Sequence, residues 1–307
     1  MPLIEIRHLP AISELKQETG GPLIIPREAI GESSDIVRVA ILNLMPVKER
    51  TERQLLRRLG MSESIVDVTF LTTESYRATH ASKEHMERFY RTISQVKNER
   101  FDGLIITGAP IEMMAFEETA YWKELCTIMD WADANGTGTL FICWGAQAGL
   151  YHFYGVPKKK LPTKQFGIFR HVILHRNELT FSLEAPFFTP HSRHTYTDLK
   201  DVRRVPDLVI DAVSPQAGVY LMHDPARSRV FITGHSEYEA DTLSFEYFRD
   251  KGKGLPIDVP VNYFPDDDPS KEPPCVWRTH SESLFKAWVQ MISPGTKAHP
   301  SKEAHSK

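Results

Sequence analysis

The sequence predicts an α/β fold in which a mostly parallel sheet carries helices on both faces. Short, β-branched, apolar runs alternate with amphipathic helical segments between about residues 37 and 154, which is the strand–helix–strand order of parallel sheets. The runs at residues 37–42 and 103–107 are predominantly apolar, as parallel strands covered on both sides should be. With 307 residues, of which 41% are hydrophobic, the chain is long enough to bury a large core.

The first half of the chain supplies the regular part of this pattern. Its first 35 residues have no sustained periodicity and are predicted to be largely irregular. Pro46 stands where a proline can open a helix, and Asn135-Gly136 stands where a helix ends. The predicted strands cover residues 37–42, 65–71, 103–107 and 137–142, and the predicted helices cover 47–59, 82–96, 122–132 and 145–154.

The second half is predicted to complete the same domain. Residues 254–274 are rich in proline and aspartate and are predicted to form a surface excursion. Residues 1–293 are predicted to form a single domain, and the polar residues 294–307 are predicted to be a disordered tail. The further predicted strands lie near 169–174, 206–212, 217–222 and 229–233, and the further helices lie near 242–252 and 281–292.

The composition argues against several classes of function. A net charge of −3 gives no field that would gather nucleic acid or an anionic membrane. The run Lys158–Lys160 is predicted to be a solvated loop, the alternative being contact with a phosphorylated ligand. We find neither a signal peptide nor an apolar run of the ~20 residues that a membrane helix needs. Three sparse cysteines indicate a reducing, cytoplasmic location without a disulfide framework or a metal site.

Cys143 has the sequence context of a nucleophile. It follows a predicted strand and precedes a helix, so its side chain should stand at the carboxyl edge of the sheet, where open α/β folds bind ligands. The helix N-terminus favours a thiolate. The backbone N–H groups of Trp144 and Gly108 could bind a developing oxyanion. The alternative is a small buried hydrophobe, which is the predicted state of Cys126.

His235 and Glu237 are the candidate base and its orienting acid. They follow the predicted strand 229–233, and their spacing puts both side chains on one face of an extended chain. Glu237 can then orient the imidazole and stabilise its cation. A Cys–His–acid set needs closeness in space rather than in sequence. Taken singly, His235 could equally be a surface histidine and Glu237 a solvated charge.

A second cluster of histidines lies in Pro190-His191-Ser192-Arg193-His194 and is interpreted as a loop. No acidic or cysteine ligand accompanies His191 and His194 at a useful spacing, so no metal site is predicted. Ser192 and Arg193 could instead bind a carboxylate or a phosphate.

Five motifs carry a resemblance to a known family. A strand followed by Cys143-Trp144-Gly145, with His-x-Glu downstream, resembles the class I glutamine amidotransferase fold. The fuller set resembles more specifically the bacterial homoserine O-acyltransferases of the amidotransferase-like type, over about residues 1–292. The motifs are Asn43-Leu44-Met45-Pro46, Thr107-Gly108-Ala109-Pro110, Cys143-Trp144-Gly145-Ala146-Gln147-Ala148, Pro190-His191-Ser192-Arg193-His194 and Gly234-His235-Ser236-Glu237-Tyr238. Phe141 departs from the amidotransferases, which carry a glycine at that position.

The resemblance implies transfer of an acyl group from a coenzyme A thioester to the hydroxyl of L-homoserine, an early step toward methionine. It implies a ping-pong course in which Cys143 becomes an acyl-enzyme and coenzyme A leaves. His235, oriented by Glu237, would then deprotonate the homoserine hydroxyl. Coenzyme A is a co-substrate here, and no bound cofactor is expected.

The resemblance also carries over binding residues. The family's homoserine contacts correspond to Lys164, Ser192 and Arg249, and the two cations suit a carboxylate. Lys48 corresponds to a basic position after the first motif and is a candidate coenzyme A contact. A homodimer is the assembly that the family implies.

Glu112 indicates which acyl group is used. Just after Thr-Gly-Ala-Pro, acetyl-using members of the family carry a glutamate and succinyl-using members a glycine, and this chain carries Glu112. A glutamate fills space and repels the distal carboxylate of a succinyl group. We therefore expect acetyl-CoA as the donor, unless Glu112 points to solvent.

Three other functions stay open on the sequence. The first is the same chemistry with succinyl-CoA. The second is a glutamine-hydrolysing amidotransferase. Phe141 and the Pro190–His194 motif are evidence against this function. The third is a non-catalytic protein that senses a metabolite. The presence of all three of Cys143, His235 and Glu237 is evidence against this function.

Overall fold

The computed structural model describes residues 2–31, 35–75 and 81–294, so the predicted tail from residue 295 onward lies outside the described residues. The strands are β1 (Pro2–Ile4), β2 (Leu23–Ile25), β3 (Ile36–Leu42), β4 (Ile65–Leu71), β5 (Tyr90–Arg91), β6 (Gly103–Ile106), β7 (Gly138–Ile142), β8 (Lys158–Ile173), β9 (Phe187–Thr197), β10 (Val209–Ser214), β11 (Gly218–Asp224) and β12 (Arg229–Ile232). The helices are α1 (Pro10–Gln17), α2 (Lys48–Leu59), α3 (Lys83–Phe89), α4 (Ile93–Val96), α5 (Trp122–Ala134), α6 (Trp144–Tyr154), α7 (Leu199–Val202), α8 (Thr242–Gly252) and α9 (Arg278–Ile292).

One sheet connects all the described strands, in the order β2-β1-β4-β3-β6-β7-β12-β11-β10-β8-β9, with β5 added beside β4. Neighbouring strands run parallel from β2 as far as β12 and antiparallel from β12 to β9. The predicted fold class is confirmed. Because β6, β7 and β12 are parallel neighbours, their carboxyl ends meet at one edge of the sheet.

Helices cover both faces of the parallel part. Val39 and Ile41 of β3 pack with apolar residues of α1, α2 and α9 on one face. Ala40 and Leu42, which point the other way, pack with apolar residues of α5 and α6. Burial on both faces is the reason that residues 39–42 of β3 are a continuous apolar run in the sequence. Within the described ranges, none of the helices combines the length and the apolar character that a membrane span requires.

The prediction of an irregular lead-in was wrong. The first described residues form β1, α1 and β2, and β1 lies between β2 and β4 in the sheet. Leu9, Ile12 and Leu15 are buried in the core that α2 and α9 share. Strands of 3 residues and a helix of 8 residues are too short to show a period in the sequence, although tertiary packing stabilises them.

The predicted helix over 82–96 is also wrong, because it is interrupted. α3 ends at Phe89, and the two residues of β5 pair with β4 before α4 begins. Thr92 and Gln95 form a capping box at the start of α4. Tyr90 is extended here so that its hydroxyl reaches the buried carboxylate of Glu52 at 2.6 Å. A tertiary hydrogen bond thus overrides the helical pattern.

Two segments interpreted as loops are strands. Lys158–Lys160 begin β8 and pair with residues 195–197 of β9, and Lys159 forms ion pairs with Asp198 and Asp201. The Pro190–His194 motif lies in the middle of β9. The prediction for Pro190–His194 failed because β9 buries polar side chains that are hydrogen-bonded, so it lacks the apolar signature of a strand. The prediction for Lys158–Lys160 failed because three successive lysines that are not buried carry no strand signature either.

Residues 254–274 lack long regular elements but are not only a surface excursion. Val261 pairs with Gly167 of β8, whose φ of 142° and close approach leave no room for a side chain, since an added Cβ would lie 2.4 Å from the Val261 oxygen. Tyr263 and Phe264 are buried against Trp277 and residues of α8. The segment therefore holds α8 against β8, and the prediction is corrected to this extent.

Buried histidines predict a fold that is sensitive to acid. Burial lowers the pKa of His171 and of His280 to about 3 and lowers that of His191 as well. Unfolding returns each pKa to about 6.5, so the stability that depends on these neutral histidines is fully present above pH 6.5 and is lost progressively as the pH falls below it. His235, whose pKa is raised, contributes in the opposite direction.

We therefore expect the urea concentration at the midpoint of unfolding to fall when the pH is lowered from about 7.5 to about 5. His280 stacks on Phe187 with ring centroids 3.9 Å apart, so His280→Phe keeps the stacking and should reduce the dependence on pH. Equal pH dependence in the wild type and in this variant would contradict the account.

Candidate active site

A strained turn between β7 and α6 presents Cys143. Its φ of 53° and ψ of −112° lie outside the regions favoured by side-chain-bearing residues. Gly145 makes the turn feasible, because an added Cβ would lie 2.7 Å from the carbonyl oxygens of both Ile106 and Thr107. The side chain of Cys143 is buried except for the part that lines a cavity at the sheet edge.

His235 and Glu237 reach the same edge from β12, the neighbour of β7. The backbone N–H of His235 donates to the oxygen of Pro190 at 2.8 Å. Its Nδ1 lies 2.6 Å from Oε1 of Glu237, and its ring stacks on Tyr238 with centroids 4.1 Å apart. The Cys143 side chain also lies close enough to the imidazole to raise the pKa of His235. The structure therefore brings together the three residues that the sequence predicts.

The charges in this cluster favour a protonated imidazole. Burial by itself would lower the pKa of His235, but the adjacent Cys143 and Glu237 outweigh burial and raise that pKa well above its usual range. With Nδ1 bound to Glu237, Nε2 is the nitrogen left to exchange a proton at the sulfur. Such a pair can supply both a nucleophile and a general acid.

The two predicted oxyanion donors lie beside the sulfur. Trp144 is the first residue of α6, whose first-turn N–H groups have no partners within the helix. A Cβ built on Gly108 would lie 3.4 Å from Cβ of Cys143 and 3.5 Å from Cε1 of His235. The backbone of Gly108 is therefore immediately adjacent to both reacting groups, and a side chain there would crowd them.

The predicted homoserine residues line the same cavity of about 440 Å³, together with carboxylates that sequence reasoning missed. Ser192 donates to Glu246 at 2.5 Å. Nζ of Lys164 lies 3.8 Å from Glu246 and 3.6 Å from Asp250, and Arg249 makes two bonds to Asp250 at 2.7 and 3.0 Å. Alternating cations and carboxylates suit a small zwitterion better than a simple anion.

Glu112 lines this cavity rather than pointing to bulk solvent. Its Oε1 accepts a hydrogen bond of 3.1 Å from the backbone N–H of His194 on β9. The carboxylate thus has a fixed place in the same cavity as Cys143.

Arg193 and His191 belong to the support of the site rather than to its surface. The Arg193 guanidinium is 2% exposed and donates to the oxygens of Thr195 and Ala217 and to Nδ1 of His191. Nε2 of His191 then lies 3.1 Å from Nε2 of His171. Arg193 is therefore unavailable to an external anion, which corrects that interpretation of the motif.

Comparison with known proteins places the chain in a family. The family model described as homoserine O-succinyltransferase matches residues 2–297. The chain belongs to this family. A homoserine O-acetyltransferase of Clostridium acetobutylicum is 44% identical over 292 residues, covering 94% of this chain and 96% of the relative. A homoserine O-acetyltransferase of Geobacillus kaustophilus is 48% identical with the same coverage.

Among solved structures, a glutamine amidotransferase of Thermotoga maritima has a TM-score of 0.56 at 12% identity, covering 83% of this chain and 97% of that one. This likeness shows the amidotransferase-like fold that the sequence predicts. Within the homoserine O-succinyltransferase family, the name of the family model and the names of these relatives differ in the acyl group. The chain is an acyltransferase on either name.

Among the polar residues of the cavity, the sequence does not single out Glu246 or Asp250, and it gives Tyr238 only as part of a motif. Glu246 and Asp250 share one face of α8 with Arg249, at the spacing of a helical turn. That spacing on the predicted helix 242–252 was the available signal. Tyr238 gives no such signal, because its hydroxyl reaches Glu246 at 2.7 Å only after β12 and α8 are folded together.

Proposed function

We propose that this protein is a homoserine O-acetyltransferase that works through an acyl-enzyme on Cys143. The observation that carries the proposal is the meeting of Cys143, His235 and Glu237 in one cavity with the charged groups of α8. Relatives that are 44% and 48% identical over nearly the whole chain are named homoserine O-acetyltransferases, which supports acetyl as the acyl group.

In the first half-reaction the Cys143 thiolate attacks the carbonyl carbon of the acetyl thioester. The N–H groups of Trp144 and Gly108 would hold the oxyanion. The bond from carbon to the sulfur of coenzyme A breaks, and His235 donates its proton to that leaving sulfur. The products are acetyl-Cys143 and free coenzyme A.

In the second half-reaction the homoserine hydroxyl gives its proton to His235 and attacks acetyl-Cys143. The carbon–sulfur bond breaks and regenerates the thiolate. Arg249 and Lys164 would bind the homoserine carboxylate, and the carboxylates of α8 would bind its ammonium group. Ser192, held by Glu246, would fix the orientation.

The direct test measures O-acetylhomoserine formed from acetyl-CoA and L-homoserine, with glutamine hydrolysis assayed in parallel. We expect the acetyl product and no glutaminase activity. Glutamine hydrolysis without acyl transfer would replace the proposal with the amidotransferase alternative. The proposal also includes a cytoplasmic location and a homodimer.

The donor preference predicts the effect of changing Glu112. Glu112→Gly should allow succinyl-CoA to acylate Cys143, since it removes both the bulk and the charge beside the acyl group. We expect kcat/KM for succinyl-CoA to rise by about tenfold or more, as a like-charge contact costs a few kcal/mol. Glu112→Gln is the matched control, which keeps the bulk and removes the charge. An unchanged donor ratio in both variants would exclude Glu112 from donor selection.

A further inference from the structure

A polar cavity of about 300 Å³ lies against one face of the sheet, near the amino ends of β3 and β4. Arg38 of β3 and Asp67 of β4 are neighbours in register, and Thr69 follows Asp67 on the same face. No described residue lines both this cavity and either the Cys143 cavity or the adjoining one that Lys48 lines. Because Cys143 follows the carboxyl end of β7, which runs parallel to β3 and β4, the polar cavity lies toward the opposite edge of the sheet.

Polar side chains at these positions depart from the apolar pattern of the strands. On the opposite face of the same strands, Val39 and Val68 are buried, whereas Arg38 is exposed and Asp67 and Thr69 are half-buried. The connection from β4 to β6 explains the difference. Its first helix, α3, packs on the other face, and α4, which packs on this one, has only 4 residues. The short helix leaves the amino half of this face open, and polar side chains line the opening.

The two carboxylates of the cavity are each paired with an arginine. Nη2 of Arg27 lies 2.6 Å from Oδ1 of Asp67, and Nη2 of Arg91 lies 2.6 Å from Oε1 of Glu99. Four arginines and two carboxylates line the cavity, which leaves two positive charges in excess, although the whole chain carries a net charge of −3. Like charges held close together repel one another, so the cavity favours an anion.

Arg38 and Arg100 carry the two charges in excess. Among the residues that the structure describes, neither guanidinium forms an ion pair or a hydrogen bond, and the hydroxyl of Thr69 has no hydrogen-bond partner. A guanidinium presents its N–H donors in a planar fork that matches the oxygens of a phosphate group. The cavity therefore offers two free forks and one free hydroxyl, which suit a doubly charged phosphate.

Asp67 and Glu99 make the cavity selective among phosphates. Each carboxylate keeps lone pairs beside its arginine, and these lone pairs can accept hydrogen bonds from hydroxyl groups. The same carboxylates repel a bare inorganic phosphate. Phe101, which is 8% exposed, forms an apolar part of the wall. A volume of about 300 Å³ lies at the small end of the range of ligand pockets, so the cavity suits a small ligand.

We propose that this cavity binds a small phosphomonoester with a hydroxylated carbon skeleton, which is the chemistry of a sugar phosphate. Arg38 and Arg100 bind the phosphate group, and Asp67 and Glu99 accept hydrogen bonds from the hydroxyl groups. The inference goes beyond acyl transfer, since none of these four residues lines the cavity of Cys143. It gives the protein a second ligand site on a separate part of the sheet.

The first test titrates ribose 5-phosphate into the protein in a calorimeter at fixed ionic strength. Arg38→Met and Arg100→Met should each weaken binding about tenfold or more, the loss expected for a hydrogen bond between charged groups. Arg100 lies outside the strands and helices, so its variant keeps the test valid if Arg38→Met does not fold.

Arg170→Met is the matched control for this titration. Arg170 is an exposed arginine on β8 that lines none of these three cavities, so its variant should bind as the wild type does. Absence of binding to the wild type at millimolar ribose 5-phosphate would overturn the proposal. Equal affinity in the wild type and in all three variants would overturn it as well.

The second test compares ribose 5-phosphate with inorganic phosphate. The wild type should bind the sugar phosphate about tenfold more tightly, because its hydroxyls donate to the carboxylates. Glu99→Met removes one acceptor and one negative charge, so it should strengthen the binding of inorganic phosphate and narrow the preference. Equal affinities in the wild type would make free phosphate the ligand and refute the role of Asp67 and Glu99.

The third test establishes which cavity holds the ligand. Protein alkylated at Cys143 with iodoacetamide should bind ribose 5-phosphate as the unmodified protein does, because the two cavities are separate. Loss of binding after alkylation would place the ligand in the cavity of Cys143 and overturn the assignment. None of these experiments involves acyl transfer, so a failure of the proposed function would leave their outcomes unchanged.

Discussion

Cys143→Ser is expected to abolish acyl transfer, with kcat falling by at least about 10⁴-fold. A serine hydroxyl has a far higher pKa than a thiol, so the imidazole of His235, placed to exchange a proton with a sulfur, cannot maintain the alkoxide. The strained turn should persist, because Gly145 and not the sulfur makes the close approach of α6 to β6 possible. The measurement is steady-state turnover of acetyl-CoA and homoserine, with a thermal melt to verify folding.

The other two cysteines provide the controls. Burial raises the pKa of Cys126 to about 11 and also raises that of Cys275, so neither thiol should ionise readily. Cys126→Ser should therefore retain full activity, and iodoacetamide should inactivate the wild type by modifying Cys143 first. Normal turnover in Cys143→Ser would refute the covalent mechanism.

Glu237→Gln is expected to lower kcat by on the order of 10²–10⁴, as in other triads that lose the orienting acid. The carboxylate accepts the proton of Nδ1 at 2.6 Å, which leaves Nε2 facing Cys143. An amide can present its NH₂ group to Nδ1 instead and stabilise the wrong tautomer. It also removes a negative charge that raises the pKa of His235.

The pH profile of acylation makes this prediction specific. His235 must be protonated to donate to the leaving sulfur, so the rate should fall as the pH rises through its pKa. Glu237→Gln lowers that pKa, and the alkaline limb should move to lower pH. Glu239→Gln is the control, because Glu239 pairs with Arg53 and Arg57 away from the cavity. If the alkaline limb of Glu237→Gln lies at the same pH as that of the wild type, Glu237 does not act on His235.

The parallel part of the fold was predictable because its strands are buried on both faces. β3, β4, β6 and β7 are short and rich in apolar and β-branched residues, with few polar interruptions such as Arg38 in β3 and Asp67 in β4, and their predicted bounds differ from the observed ones by one residue or less at each end. β9 was missed because its buried side chains are polar and satisfied by one another, as in the bonds from Arg193 to His191 and Thr195. The first strands were missed because they are three residues long.

The residues of the candidate site were likewise predictable only in part. Cys143, His235 and Glu237 were predictable because Cys143 directly follows β7 and the other two lie shortly after β12, and the apolar pattern defines the positions of both strands. Glu246 was not found, since its significance lies in contacts between distant segments, such as the bond from Ser192 to Glu246. Arg193 was misinterpreted because a sequence does not show that a cation is fully buried.

The most direct test of the central claim is the intact-protein mass after incubation with acetyl-CoA or succinyl-CoA without homoserine, followed by addition of homoserine. The account predicts an acetyl-sized adduct on Cys143 that homoserine removes. A succinyl-sized adduct would keep the mechanism and overturn the role of Glu112. No adduct from either donor would contradict the acyl-enzyme itself.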